Sequence, residues 1–218
     1  MKIQWLGHSC FRLEESTDSA VVTDPYRSYV GIELPDVSAD VVTISHDHDD
    51  HNNVEAVSGN PVVLRETGVF EEKGIHILGI HSSHDEVEGA KRGDNLIFKF
   101  RIDGVEVCHM GDIGQECTPE LVEAIGPVDV LLIPVGGNYT VDGEQAKEYV
   151  DRLMPDIVIP MHYKTRGIEL DIDKVDGFLK EFDDECIEYA ESDTIEITRS
   201  QFDGEDTHVI VLELPERE

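Results

Sequence analysis

The sequence predicts a layered α/β domain, and three observations support that prediction. Short runs rich in valine, isoleucine and leucine occupy much of the first hundred residues, a pattern that indicates strands. In the second half, runs of this kind alternate with apolar residues at helical spacing. Hydrophobic residues make up 39% of the chain, enough for a core despite a large excess of charge. We therefore expect one domain over residues 1–218, in which helices cover a sheet or a pair of sheets.

The strands expected in the first half are each bounded by turn-forming residues. They cover residues 2–6, 10–13, 20–23, 41–45, 62–64 and 75–80. In the second half, Thr118, Pro119 and Gly126 mark a helix as its N-cap, its first-turn proline and its stop. A second helix is expected from about residue 142 to 153, and apolar residues between 172 and 182 form the stripe of a third. The remaining strands are expected at residues 128–134, 156–160, 194–198 and 208–212.

Acidic residues dominate the composition. The chain has 48 aspartate and glutamate residues against 17 lysine and arginine residues, a formal net charge of −31. Nucleic acids and anionic membranes are bound through lysine and arginine, so this surplus excludes both as partners. The acids are spread along the chain rather than gathered in a tail. This distribution favours a halophilic protein adapted to concentrated salt over one with an acidic face for a basic partner.

No sequence signal points to a membrane or to export. No apolar run approaches the roughly 18 residues that a membrane span needs, and the N-terminus lacks the apolar stretch of a signal peptide. We expect a cytoplasmic protein whose partner is a small molecule, and a homo-oligomer stays open. The cysteines show no CxxC pairing, so buried free thiols are expected. They are Cys10, Cys108, Cys117 and Cys186.

Three histidines and a carboxylate follow the apolar run 41–44 within six residues. They are His46, His48, Asp50 and His51. In an extended segment His46 and His48 would project to the same side, while Asp50 and His51 lie where the chain turns. Neutral imidazole and carboxylate are ligands for zinc, iron or manganese, and without a nearby cysteine a closed structural zinc site is not indicated. The general excess of acids cannot explain why three of the ten histidines fall in this segment.

This segment resembles the HxHxDH signature of the metallo-β-lactamase superfamily. Two later positions also match the superfamily, Asp112 after Gly111 and His162 at the end of a strand. Three further segments resemble the L-ascorbate-6-phosphate-lactonase-like branch of its metal-dependent hydrolases, namely the pair Asp24 and Pro25, the HDxxxGAxRGxN stretch from His84 to Asn95, and residues 134–140. Together the matches follow in the expected order between residues 7 and 165.

The resemblance implies a four-layer αβ/βα sandwich with two divalent metal ions at one edge of the sheets. Zinc is expected, with manganese or iron as alternatives. The first ion would be held by His46, His48 and His84, the second by Asp50, His51 and His162, and Asp112 would bridge the two. The implied activity is a hydrolase in which a metal-bound hydroxide attacks a small ester, lactone or phosphoester, with Asp50 as a candidate proton acceptor.

Other residues have expected roles outside this set of seven ligands. His81 is an alternative to His84 as ligand if the preceding strand is longer. His8, in a Gly-His-Ser element, either faces the site or is a hydrogen-bonded histidine near a strand end. Asp24 is expected to orient a ligand imidazole, and His109 to be structural. Candidate contacts to a substrate or a developing negative charge are Arg92, Asn95, Tyr163 and Lys164. For Arg92, Asn95 and Lys164, the alternative is support of a metal ligand.

Other functions remain open at this point. The same ligands hold one or two iron ions in oxidoreductases of this superfamily, although no flavodoxin-like module is present here. A nuclease is a third reading, but the chain has no room for an added RNA-binding region. A non-enzymatic alternative is a metal-binding sensor that binds a metabolite without converting it. The complete set of seven ligand positions argues against this alternative.

Overall fold

Two β-sheets form the centre of the fold in the computed structural model, which describes residues 1–202, 204 and 206–214. The strands among these residues are β1 (Lys2–Gly7), β2 (Cys10–Glu14), β3 (Ala20–Thr23), β4 (Val37–Ser38), β5 (Val41–Thr43), β6 (Val57–Ser58), β7 (Val62–Leu64), β8 (Gly68–Glu72), β9 (Ile75–Ser83), β10 (Asp94–Ile102), β11 (Val105–His109), β12 (Val130–Pro134), β13 (Ile157–Met161), β14 (Ile187–Tyr189), β15 (Thr194–Glu196) and β16 (His208–Val211). The α-helices are α1 (Pro119–Ile125), α2 (Gly143–Leu153) and α3 (Asp176–Leu179).

The first sheet has the strand order β15-β1-β2-β3-β5-β7. Its β15, β1, β2 and β3 pair in antiparallel fashion, whereas β3, β5 and β7 are parallel. The second sheet has the order β14-β16-β13-β12-β11-β10-β9-β8. Because β9 and β11 both run antiparallel to β10, and β11, β12 and β13 are parallel, the strands β9, β11, β12 and β13 all end at the same edge.

Successive side chains along the strands of the first sheet point to opposite faces, and both faces are apolar. Val21 and Val41 belong to the large cluster that also contains Phe98 and Leu131 of the second sheet, so the main core lies between the sheets. Their neighbours in sequence, including Val22, lie in a smaller cluster on the other face. The first sheet is therefore covered on both sides.

The two well-punctuated helices form as the sequence predicts. Thr118 accepts a hydrogen bond from the backbone of Leu121 at the start of α1, and Asp142 and Gln145 form a capping box at the start of α2. The third helix is shorter than predicted, since only Asp176–Leu179 is α-helical. The chain continues there in i to i+3 turns, from Glu181 to Phe178 and from Phe182 to Leu179.

The predicted α/β sandwich is confirmed, with two sheets at its centre. Its outer layer on the first sheet is made of short turns and a small ribbon. In the described part of the chain, this face is covered by the 3₁₀ turns Ser28–Val30 and Val54–Ala56 and by the two-stranded β4–β6 ribbon. Ile168 and Ile172 close the same cluster. The helices instead pack with the second sheet, where α2 contacts β12 and α1 contacts β9.

A long hairpin in the second sheet is absent from the sequence-based strand prediction. β10 and β11 are joined by the dipeptide Asp103-Gly104, in which both residues have positive φ, at 51° and 77°. Asp-Gly between apolar runs is a strong signal for a two-residue hairpin, because this turn requires left-handed backbone at both positions. The signal was available in the sequence.

The cysteines agree with the prediction of unpaired thiols. All four are free, and Cys10, Cys108 and Cys117 are buried. None of the helices in the described part of the chain has the length and apolar character needed to cross a lipid bilayer.

We expect the melting temperature to rise by at least about 5 °C between 0.1 M and 2 M KCl, a gain of roughly 1–2 kcal/mol. Many carboxylates face solvent; Asp47, Asp94 and Asp49 have side chains 83%, 76% and 71% exposed. Their mutual repulsion opposes the folded state in dilute buffer, and the Debye length falls from about 10 Å to about 2 Å over this range. Thermal denaturation followed by circular dichroism measures the effect. An unchanged melting temperature would favour a basic partner protein as the reason for the charge.

Candidate metal centre

The predicted ligands meet at one edge of the two sheets, where several strands end. The segment 45–51 follows β5, His84 follows β9, Asp112 lies three residues after β11, and His162 follows β13. Five of them line a cleft of about 710 Å³, namely His48, Asp50, His84, Asp112 and His162. The fold thus brings together residues that are more than a hundred positions apart in the sequence.

The carboxylate of Asp112 lies at the centre of the site. The Nε2 atoms of four imidazoles surround its Oδ2 atom, at distances of 3.2 Å for His51, 3.2 Å for His162, 3.5 Å for His84 and 4.0 Å for His46. The side chain of Asp112 is 2% exposed, so these imidazoles take the place of water around it.

A second carboxylate, Asp50, lies beside this cluster and is more open to solvent. Its Oδ2 atom is 3.2 Å from Nε2 of His8 and 3.6 Å from Nε2 of His51. The side chain is 14% exposed, so it borders both the buried imidazoles and the cleft. This position suits a group that exchanges protons with a bound molecule.

Three groups of side chains among the described residues offer ligand atoms within 4.8 Å of one another. They are His46, His48 and His84; His46, His51 and Asp112; and His8, Asp50, His51 and His162. The first group contains the three residues predicted for one ion. The third contains the three predicted for the other ion and adds His8.

The donor atoms fit a divalent cation. Among the described residues, the buried atoms His46 Nε2, His51 Nε2 and Asp112 Oδ1 have no hydrogen-bond partner. Buried polar atoms without partners are costly, and imidazole nitrogen and carboxylate oxygen are ligands for zinc, manganese and iron. A cation among these atoms would satisfy all three.

Electrostatics within the cluster favour the same conclusion. Burial alone would raise the pKa of Asp112, but the nearby His162 and His51 hold that pKa well below its usual range. Burial and the charge of His51 hold the pKa of His46 well below its usual range, so this imidazole keeps a free lone pair. Burial would also lower the pKa of His51, yet Asp112 and Asp50 raise it well above its ordinary value. A divalent cation would replace that proton on His51.

Asp24 fixes the orientation of His51 from behind. Its Oδ2 atom is 2.9 Å from Nδ1 of His51, which directs Nε2 of the same ring towards Asp112. Asp24 also accepts hydrogen bonds from the backbone N–H and the hydroxyl of Ser45, at 2.8 Å and 2.5 Å. It is fully buried and has a φ of 41°, a strained value of the kind found at functional sites.

Asn95 lies beneath the site and not in the cleft. It is fully buried, and its amide donates to Ser82 Oγ and to the carbonyl of Met110, while its Oδ1 accepts from the backbone N–H of Asp112. Of the two roles predicted for Asn95, a substrate contact is excluded, because every polar atom of the amide is used within the protein. Asn95 instead holds the segment that carries Asp112.

Gly111 shows how closely this segment is packed. It has a φ of 57°, and a Cβ atom there would lie 2.4 Å from Asn95 Oδ1 and 2.6 Å from Ser45 Cβ. Only glycine meets both requirements at the position before Asp112.

The segment 45–51 is not extended, contrary to the expectation for His46 and His48. β5 ends at Thr43, and the backbone N–H of His51 donates to the carbonyl of His48 in a turn. The two imidazoles still meet, with ring centroids 4.5 Å apart. They meet because the chain turns here, and not because alternate residues of a strand point to the same side.

The structure separates His84 from its alternative, His81. His84 is buried within the cluster around Asp112. The side chain of His81 is 60% exposed and its Nε2 contacts Asp94 at 3.1 Å on the surface. His81 therefore offers no atom to the site.

The remaining predicted contacts divide between the cleft and the protein interior. Arg92 lines the cleft. Lys164 is not among the residues that line it, and its ammonium donates to the carbonyl of Leu170 at 2.6 Å. Tyr163 is buried and stacks on Trp5, so it is not available to a substrate. His109 is structural, as predicted: Nε2 donates to the carbonyl of Ser9 and Nδ1 accepts from the backbone of Gly111.

Several residues of the cleft were missed by sequence reasoning. Tyr29, Tyr139 and Leu170 line it alongside the acidic segment. Burial and the carboxylate of Asp50 raise the pKa of the Tyr29 hydroxyl, which places this group next to the second carboxylate. No spacing or motif in the sequence marks Tyr29, because it reaches the site from a loop of the first sheet.

Comparisons with known proteins agree with this geometry. A family model described as the Beta-lactamase superfamily domain matches residues 2–162. A relative from Pelotomaculum thermopropionicum, named UPF0173 metal-dependent hydrolase, is 32% identical over 198 residues, which cover 76% of this chain and 85% of the relative.

Solved structures show the same similarity. The crystal structure of a Thermotoga maritima protein, whose name proposes a Zn-dependent hydrolase of the metallo-beta-lactamase superfamily, is 39% identical with a TM-score of 0.79 and covers 97% of both chains. CmlA, a diiron beta-hydroxylase from Streptomyces venezuelae, is 18% identical with a TM-score of 0.55, over 74% of this chain and 44% of CmlA. At that identity the likeness to CmlA shows the fold alone.

Proposed function

The chain belongs to the metallo-β-lactamase superfamily and is a metal-dependent hydrolase, and from that premise we propose that it hydrolyses a small ester, lactone or phosphoester with two bound divalent ions. Zinc is the first candidate, because the name of the 39% identical Thermotoga maritima protein proposes zinc dependence. We keep a halophilic setting as part of the proposal, on the strength of the acidic composition, and a cytoplasmic location as the sequence-based expectation.

The single observation that supports the proposal most is the position of Asp112. One buried carboxylate faces four imidazoles, and its second oxygen has no hydrogen-bond partner among the described residues. That arrangement suits a carboxylate shared by two cations. We assign His46, His48 and His84 to the first ion and Asp50, His51 and His162 to the second.

When bound, the two ions would lower the pKa of a shared water towards about 7 and polarise the bond under attack. The chain's own residues do the rest. Asp24 fixes the tautomer of His51 through Nδ1, and Asn95 fixes the backbone of Asp112. We propose that the carboxylate of Asp50, open to the cleft, accepts the proton released in the reaction, and that His8 keeps it in place through Nε2.

His8 has a further feature that suits this role. Its backbone φ is 52°. Its carbonyl accepts one hydrogen bond from the indole of Trp5 and another from the backbone N–H of His162. Burial, together with the charge of His162, lowers the pKa of His8 to about 4. A neutral imidazole fixed in this way can hold the Asp50 carboxylate by a hydrogen bond without forming an ion pair with it.

We expect the metal-loaded protein to hydrolyse members of a panel of small esters, lactones and phosphoesters, and a chelator to abolish that turnover. The rate should rise with pH through an apparent pKa of about 7, because deprotonation creates the attacking group. Metal analysis of the purified protein and pH–rate profiles measure both effects. A burst of covalent acyl- or phospho-enzyme would contradict the proposal, since it would show a side-chain nucleophile.

A further inference from the structure

One arginine in the cleft has no acidic partner, which is unusual in a chain so rich in carboxylates. In the described part of the chain, a carboxylate oxygen lies within 4.0 Å of several other arginines, among them Arg12, Arg27, Arg65, Arg101, Arg152 and Arg199. Among the described residues, no carboxylate comes that close to Arg92, although Asp47, Asp49 and Asp50 line the same cleft. The neighbouring cation, Lys91, is paired with Glu86. Arg92 is therefore the cation of the cleft that keeps hydrogen-bond donors for a ligand.

The loop that carries Arg92 is built around a buried carboxylate. Asp85 is 1% exposed, and its two oxygens accept hydrogen bonds from four backbone N–H groups. The donors are Val87 and Gly89 to Oδ1, each at 2.9 Å, and Lys91 and Arg92 to Oδ2, at 2.8 Å and 2.7 Å. A further hydrogen bond joins the two ends of the loop, from the backbone N–H of His84 to the carbonyl of Gly93 at 3.0 Å. The backbone of Arg92 is thus bound to Asp85, which follows the metal-centre residue His84 in the sequence.

The side chain of Arg92 is also held in place at its tip. Nη2 donates to the carbonyl of Asn138 at 3.0 Å, and the guanidinium lies 5.6 Å from the centre of the Tyr139 ring. These contacts use one of the five N–H donors and leave the others for a planar oxyanion. A guanidinium held in this way loses little side-chain entropy when it binds an anion.

The other walls of the cleft indicate where a substrate would bind. Tyr29, Tyr139 and Leu170 provide apolar surface, and the acidic segment with the imidazoles lies at the metal centre. A volume of about 710 Å³ admits a small organic molecule. A ligand that spans this cleft would have one end at the imidazoles and the other at Arg92.

We propose that Arg92 selects substrates that carry an anionic substituent, a carboxylate or a phosphate, apart from the bond that is cleaved. This inference rests on the proposed hydrolase function, because it names the substrate class of the same cleft. Arg92 binds the substituent through charge-assisted hydrogen bonds, which are about twice as strong as neutral ones.

Three esters with one leaving group test the proposal: 4-nitrophenyl acetate, 4-nitrophenyl hydrogen succinate and 4-nitrophenyl phosphonoacetate. We expect kcat/KM of the wild-type protein to be at least tenfold higher for one of the two anionic esters than for the acetate. The more favoured of the two identifies carboxylate or phosphate as the substituent. Arg92→Gln should remove the preference, mainly through KM, and Arg92→Lys should restore part of it. Arg101→Gln, on the exposed far end of β10 with its partner Glu106, should leave the preference unchanged.

Calorimetric titration with succinate and with inorganic phosphate separates this inference from the proposed function. We expect Arg92→Gln to weaken binding of one of these anions at least fivefold, and Arg101→Gln to leave it unchanged. If the wild-type protein hydrolyses the esters but neither the preference nor the binding depends on Arg92, the inference is overturned and the hydrolase function stands. If no ester is hydrolysed while anion binding still depends on Arg92, the hydrolase proposal fails and the anion site stands.

Discussion

Replacing Asp112 with alanine should remove at least one metal ion per chain and lower turnover by at least about a hundredfold. Loss of a residue that only supports a ligand costs roughly 10 to 100 times in metal affinity or activity, so loss of a shared ligand should exceed that range. The physical reason is the position of Oδ2, which faces His51, His162, His84 and His46 within 4.0 Å. Elemental analysis of the purified variant, with turnover on the best substrate of the panel, measures both effects.

A pair of histidines provides the matched control for this experiment. His84→Ala should lose metal in the same way as Asp112→Ala, whereas His81→Ala should keep the wild-type content, because the His81 side chain is on the surface beside Asp94. Retention of two ions by Asp112→Ala would refute the shared-ligand assignment. Loss of metal from His81→Ala but not from His84→Ala would show that the wrong histidine had been assigned.

Replacing Gly114 with alanine should lower the free energy of unfolding by about 3 kcal/mol and the melting temperature by roughly 6–12 °C. A Cβ atom at this position would lie 2.5 Å from the carbonyl oxygen of His84, 2.6 Å from its carbonyl carbon and 2.7 Å from the backbone nitrogen of Asp85. These are backbone atoms, so they cannot rotate away. The two segments that carry Asp112 and His84 would be forced apart, and metal content should fall with stability.

Gly177→Ala is the control for that variant. No heavy atom lies within 4 Å of a Cβ atom built there, and Gly177 lies in α3 with an ordinary backbone conformation. Alanine should therefore change stability by less than about 1 kcal/mol, in the stabilising direction. Denaturant titrations of both variants at high salt compare them directly. Equal stability of Gly114→Ala and the wild type would show that the two segments tolerate separation.

The sequence was most informative where chemistry is concentrated in a few neighbouring positions. His46, His48, Asp50 and His51 lie so close together that their meeting needed little knowledge of the fold. The helix at Pro119–Ile125 was predicted within a residue, since its cap, its first-turn proline and its stop are all local signals. Local signals of this kind require no long-range contact.

The exact partners of the supporting residues could not be read from the sequence, because these contacts join distant segments. Asp24 was expected to orient a ligand imidazole, but only the fold shows that this imidazole is His51, 27 positions away. Asn95 reaches the backbone of Asp112 across 17 positions. Asn95 was predicted to contact a substrate because its amide is polar, and only its burial shows that it is used within the protein. Tyr29 lines the cleft through a loop whose sequence carries no motif.

The pairing of β1 with β15 has a consequence for the protein as it leaves the ribosome. β1 precedes every other strand of its sheet in the sequence, but its outer neighbour β15 is completed only at Glu196, and the backbone nitrogen of Met1 donates to the carbonyl of Ile197 at 2.9 Å. In a nascent chain that has already exposed His162, the last of the proposed ligands, β1 still lacks the partner strand β15 on its outer side. Contacts between such distant positions slow folding and lengthen the time that apolar edges stay exposed. The N-terminal half of the chain therefore cannot complete its sheet during synthesis before the C-terminal residues are made. All the proposed metal ligands emerge before the first sheet gains β15.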